Sequence, residues 1–145
     1  MNDRNDVEQV VRGAYAARVR GDIDATCRHF AANARFQMAG SPQASSIALS
    51  IEGADALRKT IEGMIKTFEL SDHTIVSMVV EGSKAAVHWR AKIKSTITGE
   101  TVSSDLVDLI EVKDGRIVSF LEFCDTALVA RLMSNGPISR QAASG

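Results

Sequence analysis

Between residues 85 and 124 the chain reads AAVHWRAKIKSTITGETVSSDLVDLIEVKDGRIVSFLEFC, and apolar and polar side chains alternate along most of this stretch. A period of two is typical of strands that bury one face. Two short segments, Thr98-Gly99 and Lys113-Asp114-Gly115, interrupt the alternation with residues that favour tight turns. The stretch therefore predicts three antiparallel strands, over 85–97, 100–112 and 116–124.

The residues before this stretch show mostly helical spacing. Val7, Val10, Val11 and Ala14 predict a first helix, and Asp22 is a suitable N-cap for a short second helix that buries Ile23, Cys27 and Phe30. Gly53 is predicted to open a third helix with one apolar stripe, formed by Leu57, Ile61, Met64, Ile65 and Phe68.

Shorter elements complete the predicted order. Strands are expected over 34–39, 47–51 and 74–80, with a loop over 40–46. A closing helix is expected over 126–133, followed by a loose tail of small and polar residues from 134 to 145. Helices followed by an antiparallel meander indicate the α+β class. One domain over residues 1–133 accounts for the whole pattern.

Composition limits the partners and the location of the protein. The 145 residues are 45% hydrophobic and 24% charged, with a net charge of -1, so neither nucleic acid nor an anionic membrane is an expected partner. No secretory signal or membrane-spanning run is visible, and a cytoplasmic protein is expected. Cys27 and Cys124 are expected to be free thiols, and neither a metal site nor a cofactor is indicated.

Strand parity assigns side chains to the two faces of the sheet. Val87, Trp89, Ala91 and Ile93 alternate with polar residues that include His88 and Arg90, so the apolar set should face the helices. A two-residue loop at Thr98-Gly99 would pair Trp89 with Asp108. The helix-facing side of the next strand then consists of Leu106, Asp108, Ile110 and Val112, which places a carboxylic acid among apolar neighbours.

The last hairpin has two possible registers. A two-residue loop at Asp114-Gly115 pairs Asp108 with Leu121 and turns Glu122 to the other face. A three-residue loop over 113–115 with a bulge pairs Asp108 with Phe120 and Glu122 with Leu106, so that both acids point inward. The sequence alone does not choose between them.

An acid in an apolar site resists ionisation, because burial raises its pKa, and a second carboxylate nearby raises one of the two further. Asp108 and Glu122 are therefore the candidate catalytic residues, as a hydrogen-bond donor or general acid and as a group that moves a proton. The candidate pocket residues are aromatic or apolar side chains expected around them, namely Tyr15, Phe36, Met38, Trp89, Leu106 and Phe120.

The stretch DLVDLIEVKDGRIVSFLEFCDTALVA, from Asp105 to Ala130, resembles the C-terminal signature of SnoaL-like proteins. Earlier segments agree, namely Gly-Asp-Ile-Asp-Ala at 21–25, His-Phe-Ala at 29–31 and the glycine before the third helix. The resemblance covers residues 7 to 133. It implies an NTF2-like fold, a cone-shaped α+β barrel around a pocket.

The resemblance also bears on the site. Asp108 lies at the position of the neutral oxyanion-hole aspartate of ketosteroid isomerases, an enzyme used as a standard example of an acid kept protonated by an apolar site. The position of their catalytic base holds Met38, and that of their tyrosine holds Ala14, next to Tyr15. A true steroid isomerase is therefore not expected.

Two related families give further comparisons. Limonene-epoxide-hydrolase-like proteins place an acid where Glu122 lies, but Trp89 and Ala91 stand at the positions of their arginine and aspartate. SnoaL-type cyclases use an acid–base pair in the same pocket, for which Asp108, Glu122 or Asp125 are candidates. The resemblance thus implies a cofactor-free isomerase, cyclase or hydratase acting on a small apolar molecule. The alternative is a binding protein that performs no reaction.

The outward face of the predicted sheet carries more apolar side chains than a monomer usually leaves in water, namely Ile75, Val79, Val107, Leu109, Leu121 and Phe123. A two-fold dimer through this face is expected, with His88 and Arg90 within it or at its rim. Dimers of this kind are common among the families that the sequence resembles.

Overall fold

The computed structural model describes residues 4–41, 43 and 47–134. The described helices are α1 (Arg4–Arg20), α2 (Ile23–Arg28), α3 (Ala54–Thr67) and α4 (Thr126–Met133). The described strands are β1 (Phe30–Met38), β2 (Leu49–Glu52), β3 (Phe68–Glu81), β4 (Lys84–Ser95), β5 (Thr101–Lys113) and β6 (Arg116–Phe123). The predicted loop is described only at 40, 41 and 43, and the predicted tail only at Ser134.

The strands form one curved sheet in the order β2-β1-β6-β5-β4-β3, antiparallel except for the parallel pair of β1 with β6. β2 and β3 are its edges, so the sheet is open. The helices cover its inner face, where the core of the protein lies. This architecture confirms the predicted α+β class. No helix in the described part of the chain has the length and apolar character needed to cross a membrane.

Several predicted local features are present. Asp22 caps α2, since its side chain accepts a hydrogen bond from the Ala25 backbone N–H at 2.9 Å. Asp125 caps α4 in the same way, with the Leu128 N–H at 3.0 Å. Cys27 and Cys124 are free. Val87, Trp89, Ala91 and Ile93 are buried as parity predicted.

The boundaries where α2 meets β1 and where α3 meets β3 lie earlier in the chain than predicted. Phe30 begins β1 instead of ending α2, and Phe68 begins β3 instead of continuing α3. Phe30 is buried and Phe68 packs against the core. An apolar residue just after a helix continues the helical spacing even when its backbone is already extended, so periodicity could not separate the two cases.

β3 is also longer than predicted, because two irregularities disguise its period of two. Its register against β4 shifts between Ser71 and Thr74 and again between Ile75 and Ser77, and Asp72 has a positive φ of 51°. The first shift turns Ile75 inward, opposite Trp89, and leaves Val76 exposed in its place. The prediction that Ile75 lies on the outer face was therefore wrong.

The hairpin between β4 and β5 keeps the predicted faces but not the predicted pairing. Lys94 pairs with Thr101, so the connection is longer than two residues, and Ser95 organises it by accepting from the Ile97 and Thr98 N–H groups. Asp108 therefore lies opposite Val87, and Trp89 lies opposite Leu106. The register moved by two residues, which preserves the face of every side chain.

The last hairpin follows neither of the two registers considered. Its turn is the two-residue loop at Asp114-Gly115, both with positive φ, as a tight hairpin turn requires. A bulge farther along, at Val118, then shifts the register between Glu111 and Val112. The shift makes Glu122 the direct partner of Asp108, and both acids lie on the inner face.

The outer face of the sheet carries exposed apolar side chains, among them Val79, Val107, Leu109 and Phe123. Beside them His88 and Arg90 both bond to Asp105, with His88 Nε2 at 2.7 Å from Oδ2 and Arg90 Nε at 2.8 Å from Oδ1. Apolar area of this kind in the middle of a face favours self-association.

We propose that two copies of the chain pair through this face. Light scattering at micromolar concentration should give the mass of two chains. Leu109→Lys, which places a charge in the centre of the face, should give one chain, while Lys113→Ser at the distant turn should leave the dimer intact. A wild-type monomer at that concentration would remove the proposal.

Candidate active site

A cavity of about 410 Å³ lies between the inner face of the sheet and the helices. β1 and β6 contribute Phe36, Met38, Phe120 and Glu122 to its wall, and Phe36 stacks on Phe120 with ring centroids 5.3 Å apart. Leu106, Trp89, Tyr15 and Arg18 also line it, and α3 and α4 cover it with residues such as Met64 and Met133. The wall is mostly apolar, so a ligand that fills it must be largely apolar as well.

Asp108 lies behind this wall. Its side chain is 0% exposed and is not among the residues that line the cavity. Oδ2 accepts two hydrogen bonds, one from the Tyr15 hydroxyl and one from Trp89 Nε1 at 2.7 Å. Asp108 thus fixes the two aromatic side chains of the wall. The structure does not bring it into direct contact with the cavity.

Asp108 and Glu122 are two buried acids that lie directly opposite each other on β5 and β6. Oδ1 of Asp108 is buried and receives no hydrogen bond from an N–H or hydroxyl donor among the described residues. The carboxyl group of Glu122, the direct cross-strand partner, interacts with that of Asp108, and two carboxyl groups hydrogen-bond to each other only with a proton between them. A protonated Asp108 fits these surroundings, because Oδ2 accepts two hydrogen bonds while a hydroxyl at Oδ1 can donate to Glu122.

The electrostatics support this assignment. Burial first, and the Glu122 charge second, raise the pKa of Asp108 well above its ordinary value. Burial also raises the pKa of Glu122, but the hydrogen bond from Asp108 and the charge of Arg18 oppose the rise. Glu122 is therefore the member of the pair that ionises more readily. It is also the member that lines the cavity.

Arg18 is a cation in the cavity wall. Its Nη2 donates to the Phe68 carbonyl at 2.8 Å and to the Met64 carbonyl at 3.3 Å, near the C-terminal end of α3, where carbonyl groups attract positive charge. Burial lowers the pKa of Arg18 to about 10, and Glu122 opposes this effect. Arg18 remains charged at neutral pH.

His73 packs against the aromatic side chains that hold Asp108. Its ring centroid lies 5.2 Å from that of Tyr15 and 5.0 Å from that of Trp89. Its Nε2 is buried without a hydrogen-bond partner among the described residues. Burial and the charge of Arg18 lower the pKa of His73, so the ring is neutral near neutral pH.

All six candidate pocket residues, Tyr15, Phe36, Met38, Trp89, Leu106 and Phe120, line the cavity together with Glu122. The sequence pattern did not identify Arg18, which lines the cavity, or His73, which packs against Tyr15 and Trp89. Arg18 continues the buried stripe of α1, since it follows Val11 by seven residues and Tyr15 by three, a spacing that could have revealed it. His73 had no such signal, because it turns inward only through the irregularity beside it in β3.

A pH dependence of stability follows from the raised pKa of Asp108. Above about pH 4 an unfolded chain carries Asp108 ionised, whereas the folded protein keeps it neutral. The free energy of unfolding should then fall as pH rises towards the folded pKa, by up to about 1.4 kcal/mol per pH unit. Tyr15 and Arg18 hold their protons over this range and add no slope.

Urea unfolding at several pH values between about 4 and 8 measures this slope. Asp108→Asn is the matched control, because its amide does not titrate. The stability of the wild type relative to this variant should decline with rising pH. Parallel curves for the two proteins would mean that Asp108 has the same pKa folded and unfolded.

Comparisons with known proteins bear on the fold and the family of the chain. No curated protein sequence matches the chain. Its structure is similar to that of a proposed isomerase from Bacillus subtilis, with a TM-score of 0.81 and 21% identity over 93% of this chain and 97% of that one. A protein of unknown function from Burkholderia pseudomallei K96243, described as NTF2-like, gives 0.77 and 20% over 89% and 98%.

A proposed polyketide cyclase from Xanthomonas campestris pv. campestris is also similar, with a TM-score of 0.72 and 18% identity over 90% of this chain and 99% of that one. At such identities these structures establish a shared NTF2-like fold. A family model for the SnoaL-like domain matches residues 11–120, well over half of the sequence. The chain therefore belongs to the SnoaL-like domain family, as its C-terminal signature indicated.

Proposed function

We propose that the protein is a cofactor-free enzyme that moves a proton on a small, largely apolar carbonyl compound, as an isomerase or cyclase does. Glu122 is the group that takes up the proton and returns it. One observation carries the proposal, namely that Glu122 lines an apolar cavity and lies directly opposite a second buried acid, Asp108.

The position of Glu122 suits this role. It is 6% exposed, and burial raises its pKa from the ordinary value, which brings a carboxylate closer to the basicity that proton transfer at neutral pH requires. Met38 is its neighbour on β1 and presents no competing polar group. An apolar surrounding also strengthens the interaction of Glu122 with any charge that develops on the ligand.

Asp108 acts through Glu122 and the aromatic wall. We expected it to donate a hydrogen bond to the substrate itself, but its burial behind Tyr15 and Trp89 favours a positioning role. Its proton holds the Glu122 carboxyl group in one orientation and limits the rise in the pKa of that group. Its other oxygen orients the phenol and the indole against which the ligand packs.

Proton exchange tests the function without knowledge of the natural substrate. The probes are cyclohex-2-enone and 1-indanone, whose exchangeable carbon-bound protons are followed by NMR in deuterated water. The wild-type protein should accelerate exchange of at least one probe above the buffer rate. If exchange is not accelerated and an apolar metabolite co-purifies in native mass spectrometry, the chain is a binding protein.

The binding alternative has one feature in its favour. Met38 stands where the family resemblance places a catalytic base, so the usual arrangement of that site is absent. In this alternative the cavity holds a hydrophobic molecule, and the acid pair orients it through a hydrogen bond. Exchange catalysed by the wild type and lost in Glu122→Gln would exclude this alternative.

A further inference from the structure

Arg18 is a cation of the cavity wall that has no role in the proton transfer proposed for Glu122. It is anchored by the carbonyls of Met64 and Phe68, and both bonds come from Nη2. Its Nε and Nη1 donate to none of the described residues. Backbone carbonyls thus hold one nitrogen of the guanidinium group, and its other N–H donors are available to a ligand, since Arg18 lines the cavity.

Arg18 is not neutralised by a direct partner. In the described parts of the chain it takes part in none of the ion pairs, although ten such pairs are present, all of them between other residues. Glu122 and Arg18 affect each other's pKa, but among the described residues their side chains form neither an ion pair nor a hydrogen bond with each other. A cation and a carboxylate therefore line one apolar cavity without being paired to each other.

Glu122 and Arg18 together can balance the charge in the cavity both before and after a proton transfer. Before the transfer, the ionised Glu122 compensates the charge of Arg18. When Glu122 takes a proton from a ligand carbon, the electron pair of the broken C–H bond forms a C=C bond, and the carbonyl oxygen becomes negative. Glu122 is then neutral, and the new negative charge needs a cation. Arg18 is a cavity-lining cation with free donors for it.

We propose that Arg18 binds the negatively charged oxygen that the ligand acquires, and that the cavity therefore selects enolate-like anions over neutral ketones of the same size. This inference deepens the proposed function and rests on it for the origin of the anion. Lys59 also lines the cavity, but it is exposed, and its charge is screened by water.

Calorimetric binding of two probes tests the inference. 2-Methylcyclohexane-1,3-dione provides an enolate, and 2-methylcyclohexanone is its uncharged counterpart. The measurements use Glu122→Gln, so that no like charge opposes the anion. This variant should bind the dione enolate at least about tenfold more tightly than the monoketone. Adding Arg18→Met should remove that preference, whereas adding Lys59→Met should leave it unchanged.

Equal binding of the two probes by Glu122→Gln would overturn the inference, and so would a preference that survives Arg18→Met. If the Arg18→Met variant does not fold, the ultraviolet absorbance of the dione is followed against pH, free and bound to Glu122→Gln, to give the pKa of the dione in each state. Its pKa should be lower when bound than when free, and an unchanged or raised pKa would overturn the inference. These measurements do not depend on turnover, so they stand even if the exchange assay fails.

Discussion

Glu122→Gln should reduce proton exchange on the active probe by a factor on the order of 10² to 10⁴, the usual contribution of a positioned general base. The amide has nearly the shape of the carboxyl group, and its oxygen can still accept the hydrogen bond from Asp108. It cannot accept a proton from the ligand. Rates measured by NMR in deuterated water, at saturating and subsaturating probe, should show the loss in kcat instead of in KM.

The matched control for this prediction is Glu111→Gln. Glu111 is also an acid of the sheet, on β5, but it lies outside the cavity and bonds only weakly to Ser83 at 3.4 Å. Exchange should be unchanged in this variant. The free energy of unfolding of Glu122→Gln should not fall, since a buried ionisable group is replaced by a neutral one. Full activity in a folded Glu122→Gln protein would end the assignment of Glu122 as the base.

Asp108→Asn and Asp108→Ala should differ strongly in stability. An asparagine matches a protonated aspartate, because its oxygen accepts from Tyr15 and Trp89 while its amide group donates to Glu122. We expect this variant to cost no more than about 1 kcal/mol. The alanine variant leaves a hydroxyl, an indole N–H and a carboxylate without partners in a buried site, and should cost about 2 to 5 kcal/mol.

Urea unfolding of both variants at one neutral pH measures this difference. Comparing the two variants distinguishes a neutral from an ionised Asp108. An ionised Asp108 would accept hydrogen bonds at both oxygens, and an asparagine, which has only one acceptor oxygen, could not replace it. Equal destabilisation by asparagine and alanine would therefore contradict a neutral Asp108. Equal tolerance of both would show that the hydrogen bonds of Asp108 contribute little to the fold.

Much of the architecture was available from local patterns. The period of two over β4 and β5 assigned Trp89 and Asp108 to the buried face, and an error of two residues in their pairing did not affect that assignment. The caps Asp22 and Asp125 were equally predictable, since each acts within a few residues of its own position. Such features depend on short-range sterics and hydrogen bonds.

The residues that come together in the site were harder to predict from the sequence. Tyr15 stands one residue from the position that the family resemblance suggested, yet its hydroxyl group reaches Asp108. His73 meets Tyr15 and Trp89 because of an irregularity in an edge strand. A bulge is a compromise between the twist of a strand and the packing of its neighbours, and the strand's own residues do not specify it fully.

The sequence by itself determined the α+β class, the order of the elements, the family, and the presence of a buried acid at Asp108. Tertiary structure alone decided that the Val118 bulge places Glu122 opposite that acid, and that Arg18 enters the same cavity. The physical reason is the separation along the chain between the residues that interact. Alternation and capping are properties of neighbouring residues, whereas the environment of a charge depends on which distant segments pack around it.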